Sequence, residues 1–187
     1  MKKHIITSIL YTTITAIVLG IGYPLLITGI AHLAFPTKAN GSLITSNGQI
    51  IGSKLIGQAF TGPTYFHSRP SAAGTGYDAA NSSGSNLAPT SKALIDRVNA
   101  SIATETTNQP VPIDLVTASA SGLDPDITPA AALYQVPRIA HERNLPESII
   151  HQLVLTQIKP RQLGLLGEPT VNVLTLNLAL DQLSQLD

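Results

Sequence analysis

From Ile5 to Phe35 the chain carries no Asp, Glu, Lys or Arg. Lys2 and Lys3 precede this stretch, and Lys38 is the next formal charge after it. As a helix it would extend roughly 46 Å at 1.5 Å per residue, against a hydrocarbon core of about 30 Å. A cleavable signal has an apolar core of about 7–15 residues and a small-x-small exit. Here the run is much longer, and Gly29-Ile30-Ala31 is the only passable exit. A helix in a soluble core would show a polar face and caps, and this stretch has no charged face. The segment is therefore expected to be an uncleaved membrane anchor over residues 1–35, followed by a polar linker over 36–48 and a domain over 49–187. The short positive amino terminus should stay in the cytoplasm, with Lys38 weakening the contrast. That puts residues 36–187 outside, where nine basic residues face eleven acidic ones once Lys2 and Lys3 are set apart.

Ser8, Thr12, Ala16, Gly20, Pro24, Thr28 and His32 recur at every fourth position of the anchor. Small residues let membrane helices approach closely, so Ser8 to Thr28 is the expected packing stripe for a partner helix. Gly and Thr are also simply common in such helices. Pro24 should bend the helix, eased by Gly20 and Gly22.

The rest of the chain reads as a small α+β domain with a few-stranded sheet. A hairpin is expected within residues 49–60, around Gly52-Ser53. Residues 61–85 form a Gly-, Ser-, Ala-, Asn- and Pro-rich stretch, too long for an idle loop and so expected to be either a functional surface or mobile. Leu87, Leu94, Ile95, Val98 and Ile102 fall at helical spacing, with Pro89 in the first turn and Lys92 four residues before Asp96. A second helix should start at Thr128-Pro129, capped by the Thr hydroxyl, bury Leu133, Val136 and Ile139, and bend or stop early at Pro137. Pro146 opens a third, with Ile149, Ile150, Leu153, Val154 and Ile158 on one face. Gly164 and Gly167 bracket a turn, Thr170–Leu174 reads as a strand, and Leu176–Leu183 as a closing helix.

Composition removes several functions. Formal net charge is zero and 12% of residues are charged, about half the usual share. A nucleic-acid binder needs a basic surface, and none is present. The absence of cysteine excludes disulfides, Cys-based metal centres and thiol nucleophiles. No phosphate-cradling loop, H-E-x-x-H or G-x-S-x-G motif occurs, and the five histidines offer no metal-ligand spacing. A Ser121, Asp124, His141 triad can be written, which keeps a membrane-anchored extracytoplasmic serine hydrolase as the alternative. Tyr65, Phe66, Arg69 and Tyr77 have the composition of an interface hot spot. Equally, the aromatics can plug the core while Arg69 holds a carboxylate. Residues 83–87 and 119–126 offer amides and hydroxyls that either cradle an anion or, more in keeping with their composition, cap the helices that follow.

In order along the chain stand Gly22-Tyr23-Pro24, IGSKLIGQ (51–58), YFHSRPS (65–71), Tyr77-Asp78 and SGSNL (83–87). VPID (111–114), TASASGLDP (117–125), LGLLGEPTVNVL (163–174) and Leu176-Asn177 follow. This collinear set resembles the C subunit of the bacterial Kdp potassium-transporting ATPase, essentially over the whole chain. The resemblance implies a non-catalytic accessory subunit of an ATP-driven potassium importer in the cell membrane. Its implied partners are a channel-like potassium-translocating subunit, a P-type ATPase subunit and a very small membrane peptide. It further implies a catalytic chaperone that raises the ATP affinity of the ATPase subunit, with no cofactor held alone and ATP shared in a transient ternary complex.

Overall fold

The computed structural model describes residues 1–46, 48–105 and 109–183. Asn47, in the expected linker, and residues 184–187, at the end of the expected domain, lie outside them. Two compact units result, Met1–Ile51 and Gly52–Asp187.

The first unit is dominated by one unbroken helical stretch, Lys2–Ala34, whose most apolar 18-residue window has mean hydropathy 2.0. It is long and apolar enough to cross a membrane. It comprises α1 (Lys2–Ile17), a π-helical turn (Val18–Gly22) and α2 (Tyr23–Ala34). The π turn lies just before Pro24, where a bend is expected. Proline has no N–H to give the carbonyl four residues back, and its ring crowds that carbonyl. In the wider turn the Tyr23 amide reaches back five residues to the Val18 carbonyl. Thr7 and Thr15 turn their hydroxyls onto the Lys3 and Tyr11 carbonyls at 2.9 and 2.8 Å. Such back-bonding satisfies a polar group that lipid could not. Phe35 leaves helical geometry at φ −140°, as Pro36 demands of the residue before it.

The expected linker holds structure of its own. Pro36–Ala39 forms the short α3, and Leu43–Ser46 (β1) pairs with Gln49–Ser53 (β2). The hairpin therefore lies several residues earlier than expected, and Gly52-Ser53 belongs to a strand instead of a turn. Asn47-Gly48 is the stronger hairpin dipeptide in the sequence, and Gly48 takes φ +78°. Gly52 is required for space: a Cβ there would meet the Gln58 amide at 1.9 Å and Leu174 at 2.9 Å.

The second unit has the expected α+β character. β3 (Asp126–Ile127), β5 (Thr170–Asn172) and β4 (Ile158–Lys159) make a three-stranded antiparallel sheet in the order β3-β5-β4. Asp126 faces Asn172, and Ile158 faces Val171. α5 (Pro129–Tyr134), α6 (Val136–Arg143), α7 (Glu147–Gln157) and α8 (Val173–Leu183) pack around it. Ile127, Val136, Ile139, Ile150, Val154, Val171, Leu176 and Leu180 form the core. The Thr128 hydroxyl caps α5 by accepting from the Ala131 amide, and Pro137 separates α5 from α6. Leu133 is only partly buried, and Ile149 lies on the exposed side of α7.

Two boundaries differ from expectation. α4 (Lys92–Thr104) starts after Ser91, so Pro89 lies outside it; the Lys92–Asp96 pair forms at 2.6 Å. α8 starts at Val173 because the Asn172 carboxamide accepts the Thr175 amide at 3.1 Å, which caps the helix three residues early.

Candidate functional site

Residues 61–85 contain no strand and only one 3-10 turn, Ala79–Asn81. Their buried backbone groups must find partners elsewhere, and side chains of distant helices supply them. Asn177 on α8 clasps Phe66 at both ends. Its amide donates to the Phe66 carbonyl at 3.0 Å, and its oxygen accepts the Phe66 N–H at 2.9 Å. Gln135 does the same for His67, accepting its N–H at 2.7 Å and donating to its carbonyl at 3.2 Å. The two amides, both buried, stand in for the neighbouring strand that this segment lacks. Arg138 donates to the Pro63 carbonyl, to the Tyr65 carbonyl at 3.1 Å and to the Gln135 oxygen at 2.8 Å.

The candidate interface residues separate into different roles. Phe66 is wholly buried and joins the core, so its place in the candidate interface is corrected. An aromatic ring gains more from apolar burial here than exposure would return. Arg69 donates to the Asp114 carboxylate at 2.8 Å and to the Thr117 hydroxyl at 3.2 Å. The second oxygen of Asp114 accepts the Thr128 amide at 2.8 Å, which ties the loop to the start of α5. A buried carboxylate is tolerable only with partners of this kind. Tyr77, at φ +56°, donates its hydroxyl to the Arg69 carbonyl. Tyr65 lies apart from this pair. Arg143 covers its ring at 4.9 Å, and Asp181 accepts from both Arg143 at 2.8 Å and the Tyr65 hydroxyl at 3.3 Å. The segment thus follows the core-plug alternative for Phe66 and Arg69.

Ser71 joins this segment to the next. Its hydroxyl donates to the Gly122 carbonyl at 2.6 Å and accepts the Tyr77 and Ala73 amides at 2.7 and 3.1 Å. Residues 82–84 lie along 119–122: Ser82 donates to the Ser121 carbonyl at 2.9 Å. Added Cβ atoms at Gly84 and Gly122 would meet backbone at 3.0 and 2.5 Å. These loops therefore brace one another; of the helices that follow them, α5 is capped by Thr128 and α4 has no side-chain cap.

A cavity of about 300 Å3 opens beside this network, with His67, Arg69, Tyr77, Ser101, Glu105 and Leu115 in its wall. Burial, reinforced by Arg138, pulls the His67 pKa below its ordinary value, while the Gly62 carbonyl at 3.0 Å opposes that. Burial pushes the Tyr77 hydroxyl upward. A nucleoside triphosphate fits this wall poorly. Arg69 is already neutralised by Asp114, Glu105 adds a negative charge, and the orphan buried groups in the wall are the Arg69 Nε and the Ser68 hydroxyl. Two such groups suit a small polar partner, whereas a triphosphate needs several donors and free cations.

The alternative triad is not assembled. Ser121 Oγ accepts the Leu123 amide at 3.1 Å, and Asp124 accepts the Asp126 amide at 3.1 Å. His141 lies on the exposed side of α6 beside Glu142 at 3.2 Å. Among the described residues no group of three or more His, Asp or Glu could hold a metal ion.

The stripe residues Ser8, Thr12, Ala16, Gly20, Pro24 and Thr28 are all exposed. In a regular α-helix a four-residue repeat drifts about 40° per step. The π turn Val18–Gly22 lies between Ala16 and Pro24 and contains Gly20 of the stripe. A Cβ at Gly20 or Gly29 would meet nothing within 4 Å.

Sequence reasoning missed Asn177, Gln135, Arg138 and Asp114. Asn177 had a legible signal: it is the polar residue within the apolar run Leu176 to Leu180.

The family described as "KdpC: K+-transporting ATPase, c chain" matches residues 5–182. The potassium-transporting ATPase KdpC subunit of Acidobacterium capsulatum is 63% identical over 182 residues, covering 97% of this chain and 99% of that one. The KdpC subunit of Koribacter versatilis is 56% identical, with 97% and 95% covered. That of Methylobacterium nodulans is 50% identical, with 98% and 99% covered. With the family pattern running from the apolar helix through α8, the chain belongs to the KdpC family of K+-transporting ATPase c chains.

Proposed function

We propose that the chain is a non-catalytic accessory subunit of an ATP-driven potassium importer, working by contact with its partners. The supporting observation is the N-terminal helix: 33 residues, apolar around its circumference, with no buried residue along its length. Its stripe is the surface for a helix of a channel-like potassium-translocating subunit. The P-type ATPase subunit and a small membrane peptide complete the complex. The two leading lysines hold the amino terminus in the cytoplasm, and the domain stands outside.

On this topology the chain raises the ATP affinity of the ATPase subunit without holding the nucleotide, through the subunit to which it is bound. Such coupling requires only that the partner's high-affinity state bind this chain better than its low-affinity state does. The test is ATP hydrolysis by the transporter assembled with and without this chain. The KM for ATP should rise severalfold in its absence; an unchanged KM contradicts the proposal. Orientation is read separately by thiol labelling of Ser82→Cys, an exposed position in a cysteine-free chain. Reaction with an impermeant reagent from outside is expected, and reaction only from the cytoplasm contradicts the topology.

A further inference from the structure

Between β4 and β5 the chain turns back sharply and presents three leucines to solvent. Leu163 is 91% exposed, Leu165 80% and Leu166 60%. Burying even one such side chain is worth a large factor in an equilibrium, so three together on a soluble surface need a reason. The turn is not a loose loop. Gln162 and Leu166 exchange both backbone hydrogen bonds at 2.9 Å, and Gly164 and Leu165 donate to the Arg161 and Gln162 carbonyls at 3.1 Å. Gly164 and Gly167 take φ +74° and +76°, and Leu163 itself sits at φ +53°. A branched side chain in that region carries a steric penalty, so the fold holds Leu163 outward at a cost.

The surroundings determine what the tip fits. Arg161 is paired with Glu168 at 2.6 Å and Lys159 with Asp126 at 3.8 Å. Asp126, Lys159, Glu168 and Thr170 also line a groove of about 480 Å3 beside the leucines. An apolar centre with a charge-balanced polar rim is the anatomy of a protein interface. A lipid-binding tip would instead keep its cations free for phosphate headgroups. We infer that the 161–168 turn is a docking knob, whose leucines enter an apolar socket on another subunit of the transporter. This rests on the reading of the chain as an accessory subunit.

The test replaces Leu163 with a benzophenone amino acid in the full chain, assembled in its native membrane. Irradiation should attach it covalently to a partner subunit. Capture of lipid alone, or of nothing, overturns the inference. A second measurement uses Leu163→Asn with Leu165→Asn; asparagine accepts the left-handed geometry at 163, so the turn survives. Retention of this variant by the complex in mild detergent should fall about tenfold or more, with domain melting unchanged. Retention equal to that of the unmodified chain overturns the inference. Failure of the unmodified chain itself to co-purify would instead refute the accessory-subunit reading, so the two failures are distinguishable.

Discussion

Replacing Gly122 with alanine should destabilise the domain by about 3 kcal/mol or more. Two causes add. At φ +66° an L residue is strained, and the new Cβ would stand 2.5 Å from the Ser83 carbonyl and 2.7 Å from the Ala73 amide. Both obstacles are backbone, in the place where residues 71–73, 82–84 and 119–122 brace each other, so neither can swing aside. Gly164 is the control. It shares the left-handed geometry at φ +74° but has nothing within 4 Å of its Cβ position. Gly164→Ala should therefore cost only about 1 kcal/mol. Thermal unfolding of the intact chains in mild detergent, followed by near-ultraviolet circular dichroism, compares them. Equal midpoints for the two variants would contradict the close approach at Gly122.

Asn177→Leu tests the clasp on residues 65–71. Leucine has the same branched outline but is bulkier, so no cavity forms and crowding adds to the loss. The main loss comes from the Phe66 N–H and carbonyl, which stay buried with no partner, at about 1–3 kcal/mol for each orphaned group. The expected total is about 3 kcal/mol. It should be accompanied by faster hydrogen exchange at the Phe66 amide, which the Asn177 oxygen now holds at 2.9 Å. An amide as protected in Asn177→Leu as in the unmodified chain would show that the clasp does not order the segment.

These two sites mark where the sequence is legible and where it is not. Local chemistry was readable. Pro24 produced its disturbance, Thr128-Pro129 its cap, Pro137 its break, and Lys92–Asp96 its pair, because each acts within one or two turns. The hairpin moved because two Gly-containing dipeptides competed, and Gly52 answers to the crowding of Gln58 and Leu174, remote from it in pattern terms. The role of residues 61–85 was not readable, because their order comes from Gln135, Arg138 and Asn177, roughly seventy to a hundred residues away. Phe66 and Arg69 have the composition of a binding surface, and only the tertiary partners Asn177 and Asp114 reveal that they hold the fold. The family, in contrast, was legible from motifs spread over the whole chain.

The central claim is that this chain works as a bound subunit whose anchor packs on a partner. The most direct measurement is co-purification from mild detergent of the unmodified chain and of Gly20→Leu. A Cβ added at Gly20 would meet nothing within 4 Å in this chain, so the variant should keep the chain's own fold and report on the neighbour. The unmodified chain should elute with large membrane subunits, and Gly20→Leu should be largely lost from them as a separate 19.6 kDa species. An intact complex containing Gly20→Leu would contradict the packing stripe, and an unmodified chain that elutes alone would contradict the account as a whole.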